Sequence, residues 1–447
     1  MDVDVLRKFI EHMIDMECGN SSNGKILYKE KMLCRGIIAL RVHGYHHENA
    51  YRGNDVPRIR GFITRNNGQD FPVKIINEFI KSQEGRPAVE RYSTEELGNL
   101  VIVGDICGDL GALLRIIYLN GIDANYLFLG NYIGRGPRSF LCVLVVYSLM
   151  IINRRNIILR GSHEVHNDII PIKPDVVSWL SMATRTNGVF EREHDDPLLF
   201  DISSMLDPRK TLEGEELEKT KAFYKSVEDL VWKSFDYMSL CAIVDKKYFC
   251  SHGGISINLD FLKALDTIKK PFPIDEDIDY YQKQIMTKGD GIRDESAVDI
   301  VTEDALQIMW NEPTELENPT SSIIVNENRE FGFYYTNEQL DTFLKTNEFT
   351  LVIHSHHRVQ GCEFNPSRTD LTVNSQSTHY KHEECFMHIG ICSYKSDSYQ
   401  GKPDDPDHQD KAFVVVSTDG SLNTVVFARP AQNEDQDKPF IIRINGI

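Results

Sequence analysis

Residues 99–161 read NLVIVGDICGDLGALLRIIYLNGIDANYLFLGNYIGRGPRSFLCVLVVYSLMIINRRNIILRG, and this stretch decides the fold class. Asn99–Val103, Tyr126–Leu129 and Asn156–Leu159 are short apolar runs that predict buried strands. Leu110–Tyr118 and Phe140–Ile152 have the longer apolar spacing of helices. Strand, helix, strand, helix, strand is the pattern of a mostly parallel sheet covered by helices. Each strand runs into a polar turn: GDICGD at 104–109, GNYIGRG at 130–136 and GSHE at 161–164. Ligands of open α/β folds bind beyond the carboxyl ends of the strands, so the three turns are expected to gather at one rim.

Working outward, Ala242–Val244 and Tyr248–Cys250 flank Asp245-Lys246-Lys247, a hairpin that runs into SHGG at 251–254. Phe349–Ile353 predicts a strand entering HSHH at 354–357. Phe413–Val416 and Thr424–Phe427 predict a second hairpin across Asp419-Gly420. Apolar spacing predicts helices at Val3–Met16, Lys219–Phe235 and Glu338–Lys345. The stretches 44–97, 166–218 and 376–410 are polar and weakly periodic, and read as surface insertions or mobile loops. The expected organisation is one domain over 1–430 carrying these insertions, with 431–447 as a C-terminal tail.

The 447 residues are 41% hydrophobic and 26% charged, ordinary values for a globular protein with a large core. A formal charge of −18 argues against nucleic acid or an anionic membrane as partner. The longest apolar run, Phe140–Ile152, falls short of the roughly 20 residues a bilayer span needs, so no membrane insertion is expected. The N-terminus is charged from its start and lacks the apolar core of a secretory signal. Nine scattered cysteines without a CxxC pair suit a reducing compartment, the cytoplasm or nucleus.

The strand ends offer Asp105, Cys107, Asp109, Asn131, Arg135, Ser162, His163, Glu164, His252, His354, His356 and His357. Carboxylates and imidazoles supplied from separate loops of a rigid sheet suit a divalent metal, and Arg135 suits an anion such as phosphate. Singly, each has a plain structural reading. Asp105 reads as a turn residue, His163 and His252 as hydrogen-bonded core histidines, and Cys107 as a small apolar side chain. Their recurrence at several independent strand ends is what points to a site.

In this order, GDICGD, GNYIGRG, RGSHE, SHGG and HSH resemble the five signature blocks of the phosphoprotein phosphatases, GDxHG, GDxVDRG, RGNHE, HGG and RAH. The chain is most similar to the type-1 serine/threonine branch of these calcineurin-like metallophosphoesterases, through YLFLGNYIGRG, NIILRGSHE, AIVDKKYFCSHGG and IMWNEP. The resemblance implies an α/β (α+β) metallophosphoesterase β-sandwich flanked by helices, one domain with insertions. It also implies two metal ions whose bridging hydroxide attacks phosphate.

Residue by residue, the resemblance puts Asp105 at the first-metal aspartate and His252 and His356 at the second-metal histidines. His163 stands at the general acid, and Arg135 and Arg329 at phosphate-clamping arginines. Departures accompany these matches. Cys107 stands at a first-metal histidine, Asn131 at the aspartate bridging both metals, Ser162 at a second-metal asparagine, and Gly134 at the aspartate orienting the acid. His354 takes the place of a further phosphate-site arginine, and near Ser375–Tyr380 the family's Ser-Ala-Pro-Asn-Tyr run is not recognisable.

Asn131 offers one neutral oxygen and an NH₂ that repels a cation. Loss of the second cation removes the means of lowering the pKa of bound water. Loss of the acid's partner threatens a term worth about 10²–10⁴-fold. The expectation is a catalytically impaired pseudophosphatase holding one divalent ion at most (manganese, iron or zinc), or none. The alternative is a weakened or rewired phosphoesterase in which Cys107 and two histidines hold a softer metal such as zinc. Expected partners are phosphoproteins or regulatory proteins with short linear motifs. By the resemblance, Leu351 and Phe364 stand at apolar positions of a peptide groove, with Thr424 replacing a third.

Overall fold

The computed structural model describes residues 1–18, 38–40, 62, 70–134, 138–165, 202, 214–274, 300–314, 324–326, 332–357, 362–365, 370–373, 411–428 and 440–446. The first elements are α1 (Val3–Cys18), β1 (Ile38–Leu40), α2 (Asp70–Gln83), β2 (Val89–Tyr92) and the single-turn α3 (Thr94–Leu97). Next come β3 (Leu100–Val103), α4 (Leu110–Asn120), β4 (Asn125–Phe128), α5 (Ser139–Ile152), β5 (Ile157–Ile158) and α6 (Gly214–Phe235). The hairpin strands β6 (Cys241–Val244) and β7 (Tyr248–Ser251) precede α7 (Phe261–Leu265) and α8 (Ile300–Trp310). Strands β8 (Glu312–Pro313), β9 (Ile324–Val325) and β10 (Phe333–Tyr335) form a small sheet, followed by α9 (Asn337–Asn347). The remaining strands are β11 (Leu351–His354), β12 (Cys362–Asn365), β13 (Asp370–Val373), β14 (Lys411–Val416), β15 (Leu422–Ala428) and β16 (Phe440–Gly446).

Two larger sheets carry the fold. One is ordered β1-β16-β15-β14-β3-β4-β5, with β3, β4 and β5 parallel and the other pairings antiparallel. The other is ordered β12-β13-β11-β7-β6-β2. A parallel bridge between Leu159 and Ser239 lies beyond β5. Strand alternation explains the layers. Leu100, Ile102, Leu127, Leu129, Ile353 and Leu371 meet between the two sheets. Val101, Val103 and Phe128 instead face the helical layer of α1, α2, α4, α5 and α6. Val352 and Phe249 face α7, α8 and α9 on the far side. The result is a β-sandwich flanked by helices, mixed α/β, as expected.

The uniform apolarity of α5 follows from burial on every side, with Phe140 through Met150 no more than 2% exposed. Among the described residues no helix is long and apolar enough to cross a membrane. α4 starts where the Asp109 carboxylate accepts the Ala112 N–H at 2.9 Å, and ends at Gly121 with φ +94°. That cap fixes where the GDICGD turn stops.

Two segmental expectations are corrected. Residues 70–97 belong to the stretch read as an insertion, yet they form α2, β2 and α3. Phe71, Ile75, Ile76 and Phe79 of α2 are buried, and Phe79 stacks on Tyr147 at 3.6 Å between centroids. Likewise 440–446, read as tail, pairs with β15 and β1 as an interior strand. Residues 44–61, 63–69, 166–201, 203–213 and 376–410 lie outside the described residues.

Candidate functional site

The rim expected from the sequence exists. The turns after β3, β4 and β5 meet, joined by those after β7 and β11. Asn131, after β4, ties them together. Its backbone N–H donates to Glu164 Oε2 at 2.8 Å, and its carbonyl accepts the N–H groups of Ile106 (3.0 Å) and Cys107 (2.6 Å). Its side-chain Oδ1 accepts the His163 N–H at 2.8 Å and the Ser162 hydroxyl at 3.2 Å. That leaves Nδ2 to donate to Asp105 Oδ2 at 3.0 Å. A flipped amide would set oxygen against carboxylate and NH₂ against N–H, so this network fixes the orientation.

Asp105, 7% exposed, spends its other oxygen on Ser355, whose hydroxyl donates to Oδ1 while accepting the Asp105 N–H at 2.9 Å. Burial alone would raise this carboxyl. The His252 ring and the Ser355 and Asn131 hydrogen bonds outweigh it and hold the pKa below the ordinary value.

The Ser162 hydroxyl stands between the two second-metal histidine positions, 3.2 Å from His252 Nε2 and 3.3 Å from His356 Nδ1. His252 Nδ1 faces the Leu129 carbonyl at 3.0 Å and donates to it. His356 Nε2 lies 3.7 Å from Glu312 Oε1.

His163 is half-buried and donates from Nδ1 to the Ile133 carbonyl at 2.8 Å, with Cys107 Sγ 3.7 Å away. The ring lies over Gly134. A Cβ added there would come within 2.5 Å of Nδ1, on a backbone with φ +134°. A backbone carbonyl thus orients the residue that the resemblance makes an acid, in the space a side chain at 134 would need.

Asp105, Cys107, Asn131, Ser162, His163, His252 and His356 are therefore brought together. His354 is not part of the cluster. It is fully buried and bonded to the Ser355 carbonyl at 3.0 Å and to Asp370 Oδ2 at 3.2 Å. Leu351 is 5% exposed in the layer between the sheets and presents little surface to a peptide. Arg135 and Arg329 lie outside the described residues, as does the Phe364 side chain, although Phe364 itself is on β12.

Two contributors, Ser355 and Glu312, escaped the sequence reading, and Glu164, already named at a strand end, takes a role the sequence did not indicate. Ser355 stands where the RAH block has alanine, a departure visible in the motif. Glu164, fully buried, accepts four backbone N–H groups, from Asn131, Tyr132, Ile133 and Gly161. Burial pushes its pKa up to about 7 against those four bonds. Glu312, within IMWNEP, also accepts from Asn326 Nδ2 at 3.1 Å.

These donors do not fit a bridged pair of ions. A cation between Asp105 and Asn131 would face the amide hydrogens, and Ser162 is committed to Asn131 and the two rings. Among the described residues no group of three or more His, Cys, Asp or Glu side chains is arranged to hold an ion.

The sequence profile of the calcineurin-like phosphoesterases matches residues 98–359. The chain is similar to serine/threonine-protein phosphatase 2B catalytic subunit A1 of Saccharomyces cerevisiae, 25% identical over 262 residues, covering 58% of this chain and 37% of the relative. It is also similar to a protein phosphatase 2A catalytic subunit of Dictyostelium discoideum, 24% identical over 296 residues, covering 64% of this chain and 70% of the relative. A solved Saccharomyces cerevisiae serine/threonine phosphatase, described as similar to human phosphatase PP5, aligns with TM-score 0.49 at 16% identity, over 84% of this chain and 89% of its own. The chain spans little more than a third of the first relative's length.

Proposed function

Because the chain belongs to the calcineurin-like phosphoesterase family, we propose that it is a type-1-like serine/threonine phosphatase fold used for binding. It engages phosphoproteins or short linear motifs of regulatory proteins, in the cytoplasm or nucleus, and hydrolyses phosphoesters poorly or not at all. The observation that carries this reading is the hydrogen bond from Asn131 Nδ2 to Asp105 Oδ2. A two-metal phosphatase needs an anionic oxygen for each cation at this point. Here one carboxylate is hydrogen-bonded to an amide, and the other position has no charge to offer.

The surface proposed for a linear motif is the edge of the six-stranded sheet. Among the described strands β12 pairs only with β13. An extended peptide added there would gain main-chain hydrogen bonds, with Phe364 as the apolar contact.

The test is elemental analysis of purified protein after manganese loading, together with hydrolysis of an aryl phosphate and a phosphoserine peptide. At most one ion per chain is expected, with turnover far below the roughly 1–10³ per second of ordinary enzymes. Two stoichiometric ions with ordinary turnover would overturn the reading. One tightly held zinc with slow turnover would favour a rewired enzyme, in which Cys107 Sγ, 3.8 Å from Asp105 Oδ2, becomes a ligand.

A further inference from the structure

We infer that Asn131 is a built-in substitute for a bridging cation, and that it makes the folded rim independent of metal. The inference rests on the reading above that no bridged pair of metal ions joins these loops. Three residues of the rim hold left-handed backbone without being glycine: Cys107 at φ +47°, Asn131 at φ +56° and His356 at φ +62°. Such conformations persist only where the surroundings over-determine them. An ion clamped between the loops is one way to supply that constraint. Here hydrogen bonds supply it.

Asn131, 2% exposed, uses every polar atom it has. It reaches the turn after β3 through Ile106, Cys107 and Asp105, and the turn after β5 through Ser162, His163 and Glu164. Ser162 extends the chain of contacts to His252 and His356, and Ser355 closes it on Asp105. An amide can do this and an ionised carboxylate cannot. Position 131 must donate to one carboxylate while accepting from a hydroxyl and an N–H, and a carboxylate at 131 has nothing to donate. Asn131→Asp would set two carboxylate oxygens about 3 Å apart, where like charges cannot both ionise without a cation or a proton between them. The substitution should convert a metal-independent fold into a metal-dependent one.

Thermal unfolding of the full chain in chelator and in excess Mn²⁺ tests this for wild type, Asn131→Asp and Asn131→Ala. The wild type should melt at the same temperature in both. Asn131→Asp should melt lower in chelator, by about 4 °C or more, and recover in Mn²⁺ with the concentration dependence of a bound ligand. Asn131→Ala, which removes the contacts without adding charge, should melt low in both. Three outcomes would overturn the inference. They are a wild type that chelator destabilises or Mn²⁺ stabilises, an Asn131→Asp chain as stable as wild type in chelator, and an Asn131→Asp chain that Mn²⁺ fails to restore. Melting and turnover fail separately. Hydrolysis by the wild type at an ordinary rate would defeat the proposed function without altering the melts, while chelator-sensitive melting of an inactive wild type would defeat only this inference.

Discussion

The amide of Asn131 donates to the carboxylate of Asp105 across 3.0 Å, joining the loops after β3 and β4 at a point where two carboxylates would otherwise face each other. One proton-bearing nitrogen in place of one oxygen turns a repulsion into a bond. The rest of the rim is arranged around it.

The Ser162 hydroxyl contacts Asn131 Oδ1 and one nitrogen of each of His252 and His356. Ser162→Ala takes one contact from each of those buried atoms, a loss that typically costs about 1–3 kcal/mol. Urea unfolding of wild type and variant measures it. A variant as stable as wild type would mean that the hydroxyl bridges nothing of consequence.

Restoring the aspartate that the resemblance expects at position 134 should harm the protein. A Cβ there meets the His163 ring, and φ is +134°. Gly134→Asp and Gly134→Ala should both lose about 1–3 kcal/mol, because the first carbon is what collides. If Gly134→Asp alone were tolerated, the aspartate would be making a bond to His163 and the ring would have room to move.

Lys270 donates from Nζ to Ser239 Oγ at 2.7 Å, and Ser239 Oγ donates to Glu90 Oε1 at 2.9 Å. Burial lowers its pKa to about 7, opposed by Glu90 and reinforced by Arg86. The unfolded chain keeps that proton up to about the ordinary lysine value of 10.4, so it binds more protons than the native state between pH 7 and that limit. Stability should therefore rise with pH across this window, by up to about 1.4 kcal/mol per pH unit from this group. Denaturant unfolding of wild type and Lys270→Met at pH 6.5 and pH 9 isolates the effect. Equal pH dependence in the two proteins would show that Lys270 keeps its charge in the fold.

On the proposed peptide surface, truncating an apolar anchor often costs about 2 kcal/mol or more, so Phe364→Ala should weaken a Val-x-Phe type peptide roughly thirtyfold by the same conversion. Calorimetric titration of both proteins decides. Equal affinities, or no binding to either, would remove the edge of β12 from consideration.

Local sequence was enough for the elements that bury apolar side chains in unbroken runs. NLVIV contains β3, FLCVLVVYSLMI lies within α5, and AIV with YFC lie within the β6–β7 hairpin. The motif blocks likewise determined which residues meet at the rim, because a turn that ends a parallel strand has only one end of the sheet to occupy. α2 carries a helical apolar stripe at Phe71, Ile75, Ile76 and Phe79, with Lys74, Asn77 and Glu78 on its other side, but it lies inside a stretch that is polar on the whole. Strand β16 depends on long-range pairing with β15 and β1, which no local pattern encodes. The sequence also showed that Asn131, Ser162 and Gly134 replace other residue types. What each replacement does was decided only by tertiary structure, because a hydrogen bond is defined by distance and direction between atoms remote in the chain. Asp105 and Ser355 are 250 residues apart, and they bond to each other twice.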